Sequence, residues 1–277
     1  MASLNGIPLD NEALTLLFSN WVNGPTTLQS GVYPSSPNGA YQNITITNCS
    51  NPGDGFVKST ENNGYFKVTA ANTSHLTSTY KLALTNASKF TIWCWFTYTP
   101  NYTGSQMFFG NYIDGANQWY CQLNDSNGWK CIFFYIKVGN VLKTVRSAYS
   151  WTPHSASETL CLIMFEKDGA NLRIFFWDGN RVGEVTYGVQ DTYNLGNYTF
   201  QNTEFCKYST TYSTGKYHVI QVYNDVFTSD QKTAIFNAGK GMGWYGYSRS
   251  SSIMDLSLKR NYRNNIIMAN DSLFRGR

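Results

Sequence analysis

Residues 171–185 alternate between apolar and polar side chains and predict a β-hairpin. Leu172, Ile174 and Phe176 occupy every second position, so they share one face of a strand. Asp178-Gly179-Asn180 follows and supplies a tight turn to the returning strand. The pattern places the three apolar side chains in the core of a β-sheet protein.

A second strand pattern, over residues 217–223, leads into a short helix. Thr228 is followed three positions later by Gln231, which is the spacing of a capping box. Gly239 ends the helical stretch, as glycine commonly does. The sequence therefore predicts one helix over residues 229–238.

The rest of the chain carries further strand patterns at intervals of about ten residues, as in a β-sandwich. The predicted segments are strands at 14–18, 44–47, 90–96, 107–110 and 160–169, and a hairpin over 119–135. We expect the strand over 90–96 to face the same core as Leu172, Ile174 and Phe176. The residues that should line this core are Phe90, Ile92, Cys94 and Phe96.

This order of strands and turns resembles the laminin-G-like, concanavalin A-like jelly-roll superfamily. Residues 90–96 are similar to its F-T-I-x-x-W strand, and 107–110 to the I-F-x-x-G strand that follows. Residues 220–224 are similar to its late I-x-x-Y-N strand, which a short helix follows. The resemblance covers about residues 12–240 and consists of strand order and turns, so it speaks to fold more than to function.

The resemblance implies an all-β protein, a two-sheet antiparallel jelly-roll sandwich with one short C-terminal helix and extended terminal arms. We expect an N-terminal arm over residues 1–11, the jelly-roll domain over 12–240 and a basic C-terminal arm over 241–277. We also expect the two arms to lie outside the sandwich and to contact neighbouring subunits.

The composition suits the surface of a particle or an extracellular protein. Of the 277 residues, 42% are apolar and 16% aromatic, whereas only 14% are charged. No run of eighteen apolar residues is present, so no membrane span is predicted. Residues 1–10 lack a basic region followed by an apolar core, so we expect no signal peptide.

Six cysteines are present, and none belongs to a C-x-x-C motif. Cys94 and Cys161 lie within apolar strands and are predicted to be buried thiols. Cys121 and Cys131 face each other if the hairpin over 119–135 turns about residue 126. A disulfide between them and a pair of buried thiols both remain open.

The basic charge of the chain is concentrated at its C-terminal end. Residues 240–277 contain seven basic and two acidic residues, a net charge of +5 against +4 for the whole chain. The basic positions lack regular interleaving with aromatic residues, so we favour docking on protein over nucleic acid. The predicted assembly contacts are Trp244, Tyr245, Tyr247, Arg260 and Arg263.

Glycoside hydrolases of the resembled fold carry carboxylates at E-x-D-x-x-E spacing on one strand. The nearest match, residues 166–171, begins Glu166-Lys167-Asp168 but ends in Asn171. It also lies at a predicted turn rather than within a strand. No nucleophile elbow, phosphate-binding loop or zinc-ligand spacing is present, so we expect no enzymatic activity and no metal centre.

Members of this fold often bind sugars or calcium through rim loops. The loop over 110–119 brings together Tyr112, Asp114, Asn117 and Trp119, a set that could stack on and hydrogen-bond a glycan. Asp114 and Asn117 could also contribute oxygen ligands to a calcium ion, which would then be a cofactor of this protein. Ordinary turn chemistry is the alternative, because Asp, Gly and Asn all favour turns.

Together these observations favour a non-enzymatic structural or surface protein of a virus particle, of capsid-associated, decoration or fibre type. Its expected partners are other capsid or virion subunits, in a homo- or hetero-oligomer, and a host glycan that it would bind during attachment. Two alternatives stay open. One is a secreted or cell-surface carbohydrate-binding lectin, and the other is an atypical glycoside hydrolase.

Overall fold

The computed structural model confirms a two-sheet antiparallel β-sandwich with one short helix. It describes residues 3–4, 7–8, 12–17, 31–35, 42–49, 54–57, 65–85, 87–98, 106–126, 129–146, 158–177, 182–186 and 197–239. All strand pairs in this part of the chain are antiparallel, and the strands are numbered β1 to β20 in chain order. The helix, α1, spans Ser229–Gly239.

The first sheet contains eight strands. In spatial order they are β13 (Val141–Arg146), β12 (Trp129–Val138), β11 (Gln118–Ser126), β10 (Gln106–Tyr112), β17 (Tyr198–Phe205), β8 (His75–Leu84), β5 (Gln42–Thr47) and β4 (Gly31–Ser35). Strands β10 to β13 form a meander, in which each strand pairs with the next one along the chain. Strand β17 arrives from much later in the chain and joins this meander to β8, β5 and β4.

The second sheet also contains eight strands. In spatial order they are β16 (Val182–Thr186), β15 (Asn171–Trp177), β14 (Thr159–Asp168), β9 (Lys89–Tyr98), β20 (Gly215–Tyr223), β7 (Tyr65–Val68) and β6 (Gly55–Val57), with β3 (Glu12–Leu17) beside the second half of β20. Two short hairpins complete the set: β1 (Ser3–Leu4) with β2 (Ile7–Pro8), and β18 (Lys207–Tyr208) with β19 (Thr211–Tyr212).

The main core lies between the two sheets and contains the residues predicted for it. Phe90, Ile92, Cys94 and Phe96 are buried there together with Leu172, Ile174 and Phe176. Aromatic rings dominate the centre. Phe96 and Phe108, for example, meet edge to face across the sandwich with ring centroids 4.8 Å apart. The predicted hairpin over 171–185 is confirmed by the pairing of β15 with β16, while its turn lies outside the described residues.

Helix α1 covers a second apolar cluster on the outer face of the second sheet. Its predicted capping box is confirmed: the backbone N–H of Thr228 donates to Gln231 Oε1 at 2.8 Å, and the N–H of Gln231 donates to Thr228 Oγ1 at 3.3 Å. Trp177 packs edge to face on Phe236 of the helix at 5.7 Å. The buried members of the cluster are Trp93, Trp95, Leu162, Met164, Val219, Tyr223, Phe227 and Ile235.

Glu166 does not lie at a turn as predicted, because β14 continues through Asp168. Its side chain is completely buried. The carboxylate accepts the backbone N–H of Phe227 at 3.1 Å and pairs with Lys232 Nζ of α1 at 2.6 Å. Glu166 therefore fastens the helix to the sheet, and it is not available to a substrate.

The hairpin of β11 and β12 is confirmed, but its register differs from the prediction. Cys121 stands opposite Phe134 and Cys131 opposite Asn124, which leaves the two cysteines three positions out of register. Three strand residues span roughly 10 Å, beyond the ~7 Å that a disulfide can bridge between Cα atoms. The expectation that the two cysteines face each other is therefore wrong, and Cys121 is a free thiol.

Five cysteines of the described part are buried and form no disulfide: Cys49, Cys94, Cys121, Cys161 and Cys206. The prediction for Cys94 and Cys161 is thereby confirmed. Burial raises the pKa of Cys49 to about 12, with Asp54 as a second cause, and it raises that of Cys121 well above its ordinary value. Cys49 and Cys121 therefore stay protonated at neutral pH and behave as small apolar core residues.

Within the described residues, no helix is long and apolar enough to cross a membrane.

Two buried lysines lie at one end of the sandwich. Lys167 donates to the backbone carbonyls of Thr85, Ser88 and Gly169 at 2.8, 3.0 and 2.7 Å. Lys143 Nζ donates to Ala170 O at 3.3 Å. Burial lowers the pKa of Lys167 to about 8, and the charge of Lys143 lowers it further in the same direction. Lys167 is thus charged at neutral pH at a cost in stability.

That cost predicts a pH dependence of folding. Between pH 8 and about 10.5 the unfolded chain holds the Lys167 proton more tightly than the folded protein, so stability rises with pH across this window. We expect wild-type protein to gain on the order of 1–3 kcal/mol relative to Lys167→Met over that range, measured by urea unfolding. The exposed Lys89→Met is the control and should parallel wild type. Parallel curves for Lys167→Met would contradict the prediction.

Candidate functional site

The four residues predicted to form a glycan site do not lie together. Trp119 stands opposite Asn111 in the β10–β11 pair and points into the core, where it is 0% exposed and packs on Phe200. Tyr112, opposite Gln118, points to the other side of the sheet and is 44% exposed. Trp119 therefore cannot stack on a sugar, because it is one strand position out of phase with the solvent-facing side chains.

Asp114 and Asn117 form the turn between β10 and β11. Asp114 Oδ1 accepts the backbone N–H groups of Ala116 and Asn117 at 2.7 and 2.8 Å, and the Asn117 amide at 3.2 Å. These hydrogen bonds lower the pKa of Asp114, and the bond from the Ala116 backbone has the largest effect. Asn117 Oδ1 in turn accepts the N–H of Gly139 at 3.1 Å. The oxygens proposed as calcium ligands thus hold a turn, as in the turn-chemistry alternative.

This turn is fixed to the neighbouring β12–β13 hairpin. Asn140 N–H donates to Ala116 O at 3.3 Å, and Lys137 Nζ donates to Gly115 O at 2.6 Å. Gly139 and Asn140 both have positive φ, which the two-residue hairpin turn requires. Two adjacent turns therefore make one rigid rim beside Tyr112.

The outer face of the first sheet carries a row of residues aligned across seven strands. Each stands directly opposite the next in the strand pairing, and the neighbours of each along its own strand are buried in the core, so the row faces away from the second sheet. In spatial order the row is Thr144, Tyr135, Tyr120, Gly110, Glu204, Thr77 and Thr45.

Four tyrosines gather around this row, and with Gln118 they are called the tyrosine platform below. Tyr120 and Tyr135 stack at 4.6 Å with their ring planes 9° apart. Tyr208 lies 4.5 Å from Tyr120, tilted by 54°, and Tyr112 meets Tyr208 at 5.7 Å and 89°. Tyr208 and Tyr112 thus enclose a right-angled corner, with one ring face perpendicular to the other.

Tyr208 reaches the platform from the β18–β19 hairpin. Strand β17 ends at Phe205, and Cys206, with φ 64°, turns the chain back over the outer face. Ser213 fastens the hairpin to β10, since its hydroxyl donates to Met107 O at 2.7 Å and accepts Met107 N–H at 2.5 Å. The Tyr208 hydroxyl donates to Gln118 Oε1.

Gly110 provides the space in which Tyr208 lies. A Cβ at this position would stand 2.9 Å from Trp119 O, 3.0 Å from Tyr120 Cβ and 3.2 Å from Tyr208 Cδ2. The first two atoms are backbone or close to it and cannot move aside cheaply. The missing side chain at Gly110 therefore lets the Tyr208 ring rest on the strand itself.

The hydroxyls of Tyr120, Tyr135 and Tyr208 are uncharged at physiological pH. Burial raises the pKa of Tyr120 to about 12, with Tyr135 as a second cause. Burial also raises the pKa of Tyr208 and Tyr135. Neutral hydroxyls both donate and accept hydrogen bonds, and the adjoining ring faces attract polarised C–H groups. The platform can therefore hold a ligand that alternates hydroxyl groups with C–H faces.

Sequence reasoning identified Tyr112 and missed the rest of the platform. Tyr120 and Tyr135 sit at alternate positions of strands that were recognised, so their phase opposite the core residues was a usable signal. Tyr208 had none, because it reaches the platform through a hairpin distant in sequence. The predicted assembly residues Trp244, Tyr245, Tyr247, Arg260 and Arg263 lie outside the described residues.

No group of three or more His, Cys, Asp or Glu side chains that could hold a metal ion occurs in the described part of the chain.

Comparisons with known proteins find likeness in structure alone. No protein-family model matches the chain, and no curated protein matches it in sequence. The botulinum neurotoxin DC binding domain, solved with SialylT, is similar over 85% of this chain and 52% of its own, at 11% identity and a TM-score of 0.54. This chain thus spans about half the length of that toxin domain.

A second similar structure is domain 4 of AbnA, a GH43 extracellular arabinanase from Geobacillus stearothermophilus, in complex with arabinotriose. The match covers 81% of this chain and 98% of that domain, at 11% identity and a TM-score of 0.52. At such low identity these likenesses establish the fold, a two-sheet β-sandwich, and nothing finer.

The close approach at Gly110 makes a testable prediction. Gly110→Ala should push Tyr208 off the strand and cost about 1–3 kcal/mol of unfolding free energy, as overpacking does. Gly115→Ala is the matched control, because a Cβ there meets nothing within 4 Å, and it should be close to neutral. Urea unfolding measures both. Equal stability of the two variants would show that Tyr208 does not depend on this glycine.

Proposed function

We propose that this protein is a non-catalytic carbohydrate-binding protein and that the tyrosine platform is its binding site. The observation that carries the proposal is the corner between Tyr208 and Tyr112, with the Gln118 amide at its edge. The face of the Tyr208 ring can stack on a sugar ring, and the Tyr112 ring, perpendicular to it, can contact the side of that sugar. The Gln118 amide and the tyrosine hydroxyls supply hydrogen-bond partners for sugar hydroxyls.

The exposure of the platform favours a sugar over a large protein surface. Among the described residues, Tyr112 is the one large apolar side chain that is exposed. Tyr120, Tyr135 and Tyr208 are half-buried and rest on one another. Protein interfaces bury about 800 Å² per partner around an apolar centre, whereas a sugar needs one or two ring faces and hydroxyl partners.

The similar structures agree with this proposal. One was solved in complex with SialylT and the other in complex with arabinotriose. Their fold is shared with this chain, and a binding role needs only a surface on that fold. The proposal for this chain itself rests on the platform.

Three carboxylates of the described sandwich are held in structural roles, which supports binding rather than hydrolysis. Glycoside hydrolases need two carboxylates facing the scissile bond, roughly 5–10 Å apart. Glu166 is sealed behind α1 in an ion pair with Lys232. At the platform, Asp114 holds its turn and Glu204 pairs with Lys207. The atypical hydrolase alternative would need an acid and a base that these engaged groups do not supply.

Removing the Tyr112 ring from the corner tests the binding site. Tyr112→Ala should weaken binding of any glycan that the wild-type protein captures on an array by tenfold or more, about 1.4 kcal/mol. Its exposure means that folding should be unaffected. Isothermal titration with the captured glycan gives the affinities, and analysis of the same incubations by mass spectrometry should find the glycan intact.

Tyr65→Ala is the matched control for that experiment. Tyr65 is a half-buried tyrosine on the second sheet, where Lys216 Nζ lies 4.8 Å from its ring centroid. This variant should bind as wild type does. Equal loss in both variants, or none in Tyr112→Ala, would remove the platform as the binding site. Cleavage of the captured glycan by the wild-type protein would replace binding with catalysis.

We also propose that the protein is displayed on a virus particle, with a host glycan as its ligand. The low share of charged residues in the chain, 14%, supports this setting. So do the five buried cysteines that form no disulfide, since proteins that fold in oxidising compartments tend to pair their cysteines. The secreted lectin is the competing setting, and it would have to keep these thiols reduced during export.

The assembly proposal can be tested on purified particles. Mass spectrometry of nuclease-treated, density-purified particles from the source culture should find this chain at the level of a structural protein and accessible to surface biotinylation. A variant without residues 241–277 should fold and yet be absent from particles. Recovery of the chain only from the culture medium, or unfolding of the truncated protein, would contradict the proposal.

A further inference from the structure

We infer that the ligand is an extended neutral oligosaccharide that crosses the strands of the first sheet, from the tyrosine platform to a second group of residues beside it. This second group, called the histidine group, consists of His75, Glu204, Lys207 and Tyr212. The inference rests on the proposed function, and it adds the class and the direction of the ligand.

The platform and the histidine group are continuous on the outer face. Gly110, beneath Tyr208, stands directly opposite Glu204, and Glu204 stands opposite Thr77. His75 lies two positions before Thr77 on the same strand and therefore faces the same side. The aligned row thus leads from the tyrosines into the histidine group without leaving the surface.

The histidine group is built around Tyr212. The Tyr212 ring lies 5.6 Å from the His75 ring, and Lys207 Nζ stands 5.9 Å from the Tyr212 centroid. Glu204 pairs with Lys207. An aromatic ring with polar partners at its edge repeats the composition of the platform, and it can hold a further sugar unit in the same manner.

The β18–β19 hairpin links the two groups. Tyr208 on β18 packs on Tyr112 and Tyr120, while Tyr212 on β19 packs on His75. One hairpin therefore contributes an aromatic ring to each group. A single sugar unit in the corner between Tyr208 and Tyr112 would leave Tyr212 unused, whereas a chain laid across the strands would contact both rings.

The charges of the histidine group favour a neutral chain. Lys207 is neutralised by Glu204, so it offers no free cation to a carboxylated sugar. His75 Nδ1 lies 2.9 Å from Thr73 O, to which it donates, and this leaves Nε2 as a hydrogen-bond acceptor in the neutral ring. Burial lowers the pKa of His75, which keeps the ring neutral at physiological pH. Such a surface suits hydroxyl groups.

Chain-length dependence tests the inference on the wild-type protein. The probes are malto-, xylo-, α-1,5-arabino-, galacto- and chito-oligosaccharides of one to six units, with sialyllactose as an acidic comparator. Isothermal titration should show affinity for one neutral series that rises at least tenfold between two and four units. Affinity that does not change with length, or preference for sialyllactose, would overturn the inference and leave the proposed function standing.

Two variants locate the effect. Tyr212→Ala should reduce affinity for the four-unit chain severalfold and leave that for the two-unit chain unchanged, because only the longer ligand reaches the histidine group. Tyr112→Ala should weaken both. Equal loss for both lengths in Tyr212→Ala would mean that the variant disturbs the hairpin and Tyr208, and it would count against a separate contact. If no saccharide of the set binds, the proposed function and this inference both fail.

Discussion

The central strands of the second sheet are buried on both faces, and this constraint decides where the molecule can meet a ligand. On β9, Cys94 packs in the core between the sheets, while Trp93 and Trp95 pack in the cluster under α1. The helix is held by the buried pair of Glu166 and Lys232 as well as by its apolar contacts. The first sheet is the one whose central strands present their outer side chains to solvent, so its outer face is the broad surface open to binding.

On that outer face, the position of Tyr208 depends on the absence of a side chain at Gly110. Strand residues normally raise a side chain every second position, which keeps a second layer about 10 Å from the sheet. Gly110 interrupts the row, and Tyr208 fills the gap. The hairpin that carries Tyr208 needs a left-handed residue at Cys206 to turn back, a conformation that costs free energy outside glycine. The bonds of Ser213 to Met107 offset this cost and fix the ring.

The sequence predicted the sandwich because strands such as β15 alternate between apolar and polar residues and because the turn residues are conventional. Leu172, Ile174 and Phe176 are core residues for the reason the pattern indicated, and the capping box at Thr228 formed as its spacing implied. The wrong predictions concern strand phase and register, where a shift of one or a few positions changes which way a side chain points. Trp119 was assigned to the site because it follows a polar turn, although its phase along β11 sends it inward. The predicted register of the same hairpin was wrong by three positions. The polar residues after Asn124 are typical of a turn, but β11 continues through Ser126.

Tyr208 is a different case, because no local pattern in the sequence could place it on the outer face of the first sheet. The members of the tyrosine platform come from three strands and one distant hairpin, and the pairing of β10 with β17 brings Tyr208 to Gln118, 90 positions earlier. Long-range pairing of this kind is set by the whole fold rather than by neighbours in sequence. A surface assembled in this way is also selective in what it can hold. Its half-buried rings expose edges and hydroxyls rather than one broad apolar area, so an apolar protein partner would bury little there, whereas a sugar chain can match both hydroxyl groups and ring faces.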